Sequence, residues 1–255
     1  MEELIQVEYR GPVAIVTMNS LPLNLLGRGL LNALRKTFIE LEKNKDLRAI
    51  ILRSGIEKAF SAGADAKHFG DFDPGVNGEW GRGIFNIIDG MPVPVIACIN
   101  GYCYGGGMEL ALACDFRYVA EDASMGLTEA NLGLIPAWGG AARLPWLIGE
   151  ANAKMLFFTA ARISGQEALQ YGVAQKCVPA DQLLDSALEL ANLIATKAPK
   201  SIAAVKNVFR AERQAIYGAG MLAEAVESRI CTASEDTKEG LAALREKRAP
   251  QFKNK

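Results

Sequence analysis

The stretch Ile99–Asp115 reads INGYCYGGGMELALACD and combines a strand pattern, three consecutive glycines and a helix pattern that contains one acid. An apolar strand pattern, Pro94–Asn100, leads into the glycines Gly105–Gly107, and the residues after them are typical of a buried helix. This order leaves backbone N–H groups unpaired at the helix start, where the helix dipole favours negative charge. Glycine also lets a ligand approach the backbone closely. The stretch therefore predicts either an anion-binding turn or a tight helix-on-sheet contact.

Two carboxylates lie in unusually apolar surroundings. Glu109 is one turn into the helix, within GMELALA, and Glu129 lies in SMGLTEANLGLIPAWGGAARLP. Burying a carboxylate is costly unless a partner or a reaction uses it. A structural, salt-bridged glutamate is one interpretation. The other is an acid whose pKa is raised by burial into the range of proton transfer, and two such acids could share and aim one water molecule.

The flanking sequence alternates between strands and helices. Two β-patterned runs, Leu4–Tyr9 and Val13–Met18, flank the turn dipeptide Gly11-Pro12 and predict a hairpin. An amphipathic helix pattern follows, and then a continuous apolar strand over Arg48–Ser54. The cycle repeats around the glycine turn and reaches a further strand at Phe116–Ala120. These cycles predict a parallel, layered α/β core.

The chain changes character after about Ser164. Apart from a strand pattern at Val173–Val178, the remainder predicts four helices, over 181–197, 200–214, 221–232 and 235–247. Their apolar faces cannot be buried in a sheet that has already ended. We expect this tail to pack across the core or onto neighbouring subunits.

Composition excludes several classes of protein. The 255 residues carry a formal net charge of −1, without the basic excess that binds a nucleic-acid backbone, so we expect no nucleic-acid partner. The acidic start is unlike a signal peptide and no apolar run is long enough to cross a bilayer, so we expect a cytoplasmic protein without a membrane partner.

Five cysteines without a CxxC pair are typical of reduced packing residues. His68 is the only histidine, which argues against a histidine metal site and favours a solvated loop residue.

Over nearly its whole length the sequence resembles the crotonase, or enoyl-CoA hydratase/isomerase, superfamily. Five segments in order carry the resemblance: AFSAGADAK (59–67), INGYCYGGGMELALACD (99–115), LTEANLGLIPAWGGAARL (127–144), ISGQEALQYGVAQKCVP (163–179) and LREKRAPQF (244–252). The resemblance implies an α/β fold, a crotonase-type spiral of ββα units over 1–195. It also implies a helical C-terminal trimerisation region over 196–255 and a homo-oligomer, either a trimer or a hexamer built as a dimer of trimers.

The resemblance further implies an oxyanion hole made by two backbone N–H groups, those of Ala64 and Gly106. The chemistry needs such donors independently of the resemblance. Addition to an alkene conjugated with a thioester passes through an enolate, whose oxygen is stabilised by preorganised donors.

Glu109 and Glu129 match the two catalytic glutamates of family members that hydrate the double bond. The resemblance implies that Glu109, as carboxylate, helps to activate the water that attacks Cβ, and that protonated Glu129 delivers a proton to Cα. It thus implies an enzyme, a hydro-lyase that reversibly hydrates a 2-enoyl-CoA to the 3-hydroxyacyl-CoA, with a role in fatty acid metabolism. No cofactor is expected, because coenzyme A is part of the substrate.

Contacts with the coenzyme A part of the substrate are implied for the loop around Ala64 and for the end of the chain. The residues are Lys58, Ala62, Ala64, Asp65, Phe252 and Lys253. For Asp65 the residue type favours a hydrogen bond to the loop's own amides. The two tail residues match a segment that in relatives reaches a neighbouring subunit, and a frayed terminus is the alternative.

The sequence allows several hypotheses about the acyl group of the substrate and about the reaction. Trp138, within IPAWGGAARL, could wall off the acyl pocket or pack outward. The acyl group could be short and linear, branched or ring-containing. Alternatives to hydration are double-bond isomerisation, decarboxylation, hydration of a cyclic dienoyl-CoA, or a non-catalytic scaffold that binds acyl-CoA or RNA. The near-neutral charge and the presence of both acids argue against the scaffold.

Overall fold

The computed structural model describes residues 4–65 and 74–254, with the backbone alone for 74–79 and 214–217. His68 lies outside the described residues. The strands are β1 (Ile5–Arg10), β2 (Val13–Met18), β3 (Ala49–Ser54), β4 (Ala59–Ser61), β5 (Val95–Ile99), β6 (Tyr102–Tyr104), β7 (Phe116–Ala120), β8 (Ser124–Gly126), β9 (Ile163–Ser164) and β10 (Lys176–Val178).

Helices connect these strands and follow them in the chain. They are α1 (Arg28–Glu42), α2 (Pro74–Asp89), α3 (Gly106–Leu112), α4 (Gly140–Ile148), α5 (Glu150–Thr159), α6 (Gly165–Tyr171), α7 (Leu183–Ala195), α8 (Pro199–Ala233) and α9 (Glu235–Glu246). Short 3-10 helices form at Glu129–Leu132 and Ala180–Gln182. Among the described helices, none is both long and apolar enough to cross a membrane.

The strands form two sheets. The larger has the order β1-β2-β3-β5-β7-β10, with the predicted hairpin β1-β2 antiparallel and the other pairs parallel. The smaller has the order β4-β6-β8-β9. Three strands of the large sheet are each followed in the chain by a three-residue strand of the small sheet: β3 by β4, β5 by β6, and β7 by β8. Helices follow these pairs, and the repeat is the expected spiral of ββα units.

The core lies on the central strands of the large sheet. Every residue of β5, VIACI, is buried, as are the first four residues of β3. Strands covered on both faces have such continuous apolar sequences rather than an alternating pattern. Helix α7 packs on β3 and β5. Helix α1 turns Leu30, Leu34 and Phe38 inward at helical spacing.

The C-terminal tail differs from its prediction in one respect. The two helices expected over 200–214 and 221–232 are one helix, α8. Gly218 and Gly220 lie between the two predicted helices, but a glycine keeps its backbone hydrogen bonds and weakens a helix by only about 1 kcal/mol relative to alanine. Within the chain α8 packs on α2 and α4, and the Lys206–Asp115 ion pair of 2.5 Å ties it to the start of β7.

Candidate active site

A cavity of about 510 Å³ opens beside the glycine turn that precedes α3. Its wall is built by the loop after β4, the start of α3, the 3-10 helix Glu129–Leu132, the segment before α4, and helices α8 and α9. The four residues expected to carry the chemistry all line it: Ala64, Gly106, Glu109 and Glu129. Residues separated by up to 65 positions thus meet around one space.

The loop that carries Ala64 depends on the glycine before it. Gly63 has φ +99°, and a β-carbon there would lie 2.8 Å from the carbonyl oxygen of Tyr104. An L-residue would be strained in this conformation and would collide with the neighbouring turn. The loop is held by hydrogen bonds from Leu26 N–H to the Gly63 carbonyl (2.8 Å) and from Ala62 N–H to the Leu23 carbonyl (3.0 Å).

Asn24 supports the same loop and was not predicted as a site residue. Its fully buried side-chain amide donates to Ser54 Oγ (2.7 Å) and to the Phe60 carbonyl (3.1 Å). The backbone carbonyl of Asn24 accepts a hydrogen bond from Ser61 Oγ (2.8 Å). The backbone of Asn24 is left-handed, with φ +49°, which asparagine tolerates. A polar residue inside the apolar run LPLNLL was the only signal for it.

Two backbone N–H groups on the cavity wall have no acceptor among the residues that the structure describes. Within residues 4–65 and 74–254, no group accepts a hydrogen bond from the N–H of Ala64 or of Gly106. The two loops touch, because a β-carbon on Gly63 would lie 3.5 Å from the Gly106 nitrogen. An unpaired N–H group away from water is costly. A ligand oxygen at this point of the cavity could satisfy both donors.

Glu109 is 2% exposed and rests on the turn before α4. Its Oε1 accepts hydrogen bonds from the N–H groups of Trp138 (2.7 Å) and Gly140 (2.8 Å). Burial raises the pKa of Glu109 well above its ordinary value, and the charges of Glu129 and Glu224 raise it further, while the two N–H donors act in the opposite direction. The carboxyl group is therefore oriented by the backbone and holds its proton more tightly than an exposed glutamate does.

Glu129 begins the 3-10 helix on the other side of the glycine turn. A β-carbon on Gly105 would lie 3.1 Å from Glu129 Oε1, so this carboxyl group lies over the turn. Its Oε2 is buried and has no hydrogen-bond partner within the described part of the chain. Burial raises the pKa of Glu129 to about 7, its own backbone N–H lowers it, and the charge of Glu224 raises it. A water molecule or a substrate atom could occupy the position next to Oε2.

The raised pKa of Glu129 predicts a pH-dependent stability. The folded chain keeps this proton up to about pH 7, whereas the unfolded chain releases it near the ordinary pKa of about 4.3. Stability is therefore lost as the pH rises between these two values and stays reduced above them. We expect Glu129→Gln to raise the melting temperature by about 2–6 °C at about pH 8 and to change it little at about pH 5. Thermal unfolding followed by circular dichroism tests this, and an equal difference at both pH values would contradict it.

The indole of Trp138 lies inward, between α2 and α3. It packs edge-to-face on Phe85, with ring centroids 5.6 Å apart and an interplanar angle of 83°. A β-carbon on Gly106 would lie 2.7 Å from Trp138 Cζ3, and a β-carbon on Gly81 would also collide with the ring. Of the two orientations considered for Trp138, the structure has the one in which the side chain walls the cavity.

The residues expected near coenzyme A fall into two groups. Ala62 and Asp65 line the cavity together with Ala64. Lys58 is exposed and is not among the cavity-lining residues. Its contact with coenzyme A stays a prediction.

The C-terminal segment is hydrogen-bonded rather than frayed. The N–H of Lys253 donates to Asp236 Oδ1 (2.6 Å), and that of Gln251 donates to Glu239 Oε1 (2.8 Å), so the segment lies along α9. Phe252 is 44% exposed. The contact of Phe252 and Lys253 with a neighbouring subunit stays a prediction.

The region 196–255, expected to serve oligomerisation, contributes to the cavity. Ser228 and Thr232 of α8 and Leu244 of α9 line its wall. This part of the chain therefore covers the site of its own subunit, whatever contacts it makes with others.

A third buried carboxyl group, Glu224 on α8, was missed by the sequence analysis. It is 4% exposed, and its Oε1 accepts from the N–H of Gly139 (2.8 Å). Burial raises the pKa of Glu224 to about 7, whereas the N–H groups of Gly139 and Ala142 and the charges of Arg82 and Arg143 lower it. In MLAEAVESRI it is indistinguishable from an ordinary surface acid of a helix.

Comparison with known proteins covers the whole chain. The protein-family model described as enoyl-CoA hydratase/isomerase matches residues 8–255. The chain is 37% identical over 246 residues to a probable enoyl-CoA hydratase of Bacillus subtilis (strain 168), covering 94% of this chain and 95% of the relative. It is 37% identical over 266 aligned positions to a carnitinyl-CoA dehydratase of Salmonella typhi, covering 100% of each. Among solved structures, a methylmalonyl-CoA decarboxylase with 2-nitronate-propionyl-CoA superposes with a TM-score of 0.90 at 30% identity, over 99% of each chain.

Proposed function

The chain belongs to the enoyl-CoA hydratase/isomerase family, and on this premise we propose that it reversibly hydrates a 2-enoyl-CoA thioester to the 3-hydroxyacyl-CoA. Relatives along its full length are named as a hydratase and a dehydratase, which agrees with an enzyme of the hydro-lyase type. The observation that carries the specific reaction is the pair of carboxyl groups, Glu109 and Glu129, on one cavity with two N–H groups that have no acceptor among the described residues.

The thioester oxygen binds between the N–H groups of Ala64 and Gly106. When water adds to Cβ, the π electrons move toward the carbonyl and negative charge develops on this oxygen as an enolate. The two hydrogen bonds strengthen as that charge grows, so they stabilise the transition state more than the bound substrate. The backbone conformation of the glycine-containing loops orients both donors before the reaction begins.

The carboxyl pair moves the protons. Glu109, as carboxylate, accepts a proton from the attacking water while the oxygen bonds to Cβ, and protonated Glu129 donates its proton to Cα. The C=C π bond and one O–H bond of water break, and one C–O and one C–H bond form, so no electrons leave the substrate and no redox cofactor is needed. The proton taken up by Glu109 replaces the one that Glu129 has lost before the next turnover. The two acids titrate as a coupled pair, and burial raises the pKa of both. The N–H donors of Trp138 and Gly140 favour the charged form of Glu109, so we assign the proton of the pair to Glu129. A pKa of about 7 suits Glu129 to hold its proton near neutral pH.

Other enolate reactions are the main alternatives. A solved relative is named as a methylmalonyl-CoA decarboxylase, and loss of CO₂ would need the same N–H donors without an attacking water. Isomerisation needs one group that moves a proton from one carbon to another. The presence of two buried carboxyl groups on the cavity favours the addition of water over both.

The proposal is tested by mixing the purified protein with crotonyl-CoA. We expect the absorbance of the conjugated thioester to fall and a product heavier by one water to appear in the mass spectrum. A panel of linear, branched and cyclic enoyl-CoA thioesters extends the assay. If no member of the panel is hydrated, the proposal fails. CO₂ release from a carboxylated acyl-CoA would then favour decarboxylation, and tight binding without turnover would favour the scaffold.

Trp138 is expected to limit the size of the acyl group. The substitution Trp138→Ala removes the indole that lies between α2 and Gly106, which enlarges the cavity at this point. We therefore expect kcat/KM for branched or longer enoyl-CoA to rise by about tenfold or more relative to crotonyl-CoA. Trp146→Ala, which removes an indole that is 47% exposed on α4, serves as the control. An unchanged ranking of substrates in Trp138→Ala would refute this role.

We propose a cytoplasmic homo-oligomer, a trimer or a dimer of trimers. The support is a set of large apolar side chains on the helical surface, each of which is at least 56% exposed: Phe158, Val208, Phe209, Leu222, Val226 and Ile230. Self-association would remove this apolar area from water.

A further inference from the structure

The proposed hydration leaves one buried carboxyl group near the site without a role. Glu224 projects from α8, and its Oε1 accepts the N–H of Gly139 at 2.8 Å. Its Oε2 is buried and accepts no hydrogen bond from the described groups. A carboxyl oxygen buried in this way is costly unless it carries or shares a proton.

Glu224 and Glu109 bind the same turn. Three consecutive N–H groups form its inner face: those of Trp138 and Gly140 donate to Glu109 Oε1 at 2.7 and 2.8 Å, and that of Gly139 donates to Glu224. Adjacent peptide units are rigid planes that share a Cα, so displacement of one N–H reorients the next. The orientation of the Glu109 carboxyl group is thereby coupled to the position of Glu224.

The charges around Glu224 do not balance when every acid is ionised. Glu109 from α3 and Glu129 from the 3-10 helix face it as like charges, and Arg82 from α2 and Arg143 from α4 face it as opposite charges. The two guanidinium groups also donate elsewhere: Arg82 to the Met221 carbonyl, and Arg143 to the Trp138 carbonyl and Asn86 Oδ1.

Three carboxylates and two cations leave one excess negative charge in this largely buried group of five side chains. Burial disfavours that excess, so the cluster keeps a proton.

We propose that Glu224 is a positioning residue of the proton-transfer pair: it anchors the Trp138–Gly140 turn under Glu109, and its charge sets the pH range in which Glu109 and Glu129 exchange protons. The inference rests on the proposed hydration, since it assigns Glu224 to that reaction. Glu224 is not among the residues that line the cavity, so it acts on the reaction through Glu109 and Glu129.

Two substitutions at Glu224 distinguish the effect of its hydrogen bond with the Gly139 N–H from the effect of its negative charge. Glu224→Gln keeps an oxygen that accepts the Gly139 N–H and removes the charge. We therefore expect kcat at its own pH optimum to stay within about threefold of wild type, with both limbs of the kcat/KM profile for crotonyl-CoA shifted to lower pH. Glu224→Ala also removes the anchor, and we expect kcat to fall by about 10- to 100-fold because the turn is misplaced. Glu227→Gln, an exposed acid one turn further along α8, is the matched control.

A pH profile of Glu224→Gln that coincides with those of wild type and Glu227→Gln would overturn the inference, as would a loss of kcat in Glu224→Gln as large as in Glu224→Ala. If Glu224→Ala fails to fold, the Gln variant alone decides.

A second readout does not require turnover. The carboxyl carbons of Glu109 and Glu129, labelled with carbon-13 and assigned by substitution, are titrated by NMR in wild type and Glu224→Gln. Lower midpoints in the variant support the inference even if crotonyl-CoA is not hydrated, and unchanged midpoints overturn it. Failure of the inference and failure of the proposed hydration are thus distinguishable.

Discussion

Glutamine in place of Glu129 is expected to lower kcat for the hydration of crotonyl-CoA by about 10²–10⁴-fold, and Glu109→Gln is expected to do the same. The amide has nearly the shape of the carboxyl group but neither donates an acidic proton to Cα nor accepts one from water at neutral pH. At Glu109 the amide oxygen can still accept the N–H groups of Trp138 and Gly140, so the turn stays in place. Initial rates measured from the loss of thioester absorbance give the effect.

Three comparisons make the result specific. Glu121→Gln, at an exposed acid after β7, should behave as wild type. The double variant Glu109→Gln/Glu129→Gln should be about as inactive as either single variant, because both groups act on one water and their effects are not additive. An enzyme that keeps more than about a tenth of its hydration rate after either single change would rule out the paired mechanism. Isomerisation that survives one of the changes would favour the alternative reaction.

Gly63→Ala is expected to lower kcat by about 10²–10³-fold, the cost of losing a donor to the developing oxyanion. The backbone at Gly63 has φ +99°, and an added β-carbon would approach the Tyr104 carbonyl oxygen to 2.8 Å. Relief of that contact must separate the loop that carries Ala64 from the turn that carries Gly106. The two N–H groups can then no longer converge on one oxygen. KM should change less than kcat, because the donors favour the enolate over the ground-state thioester.

Stability must be measured alongside this activity, because a left-handed alanine also strains the fold by about 1–2 kcal/mol. Gly83→Ala in α2 is the control: its backbone has no left-handed φ, and nothing lies within 4 Å of the added carbon. We expect it to be as active as wild type. A Gly63→Ala protein that is folded at the assay temperature and retains wild-type kcat would contradict the role of these donors.

The strands of the large sheet were predictable because their pattern is local. The predicted run Val13–Met18 coincides with β2, and Phe116–Ala120 coincides with β7. Each is a run of apolar residues bounded by turn or charged residues. The strands β4, β6 and β8 were not predicted, because a strand of three residues is too short to show an alternation of apolar and polar side chains. The spiral of ββα units came from the resemblance, not from the residue pattern, and the division of the strands into two sheets was not predicted.

The four residues predicted to carry the chemistry could be named from the sequence because they lie in motifs. The glycine turn carries Gly106 and Glu109 within four positions of each other, and Ala64 and Glu129 each follow a glycine-containing segment that matches the family. Their convergence on one cavity depends on the parallel pairing of β4, β6 and β8, which places the ends of these strands side by side.

The class of fold and the residue types that can do the chemistry followed from the chain's own pattern, because apolar periodicity, glycine turns and acids in apolar surroundings are local features. Three findings needed the folded chain: the N–H groups of Ala64 and Gly106 have no acceptor among the described residues, Trp138 lies inward, and Glu224 reaches the turn beneath Glu109. The contact between Glu224 and Gly139 joins positions 85 residues apart. Which distant groups share a buried space is set by the packing of whole helices and sheets, and no spacing within a helix reveals it.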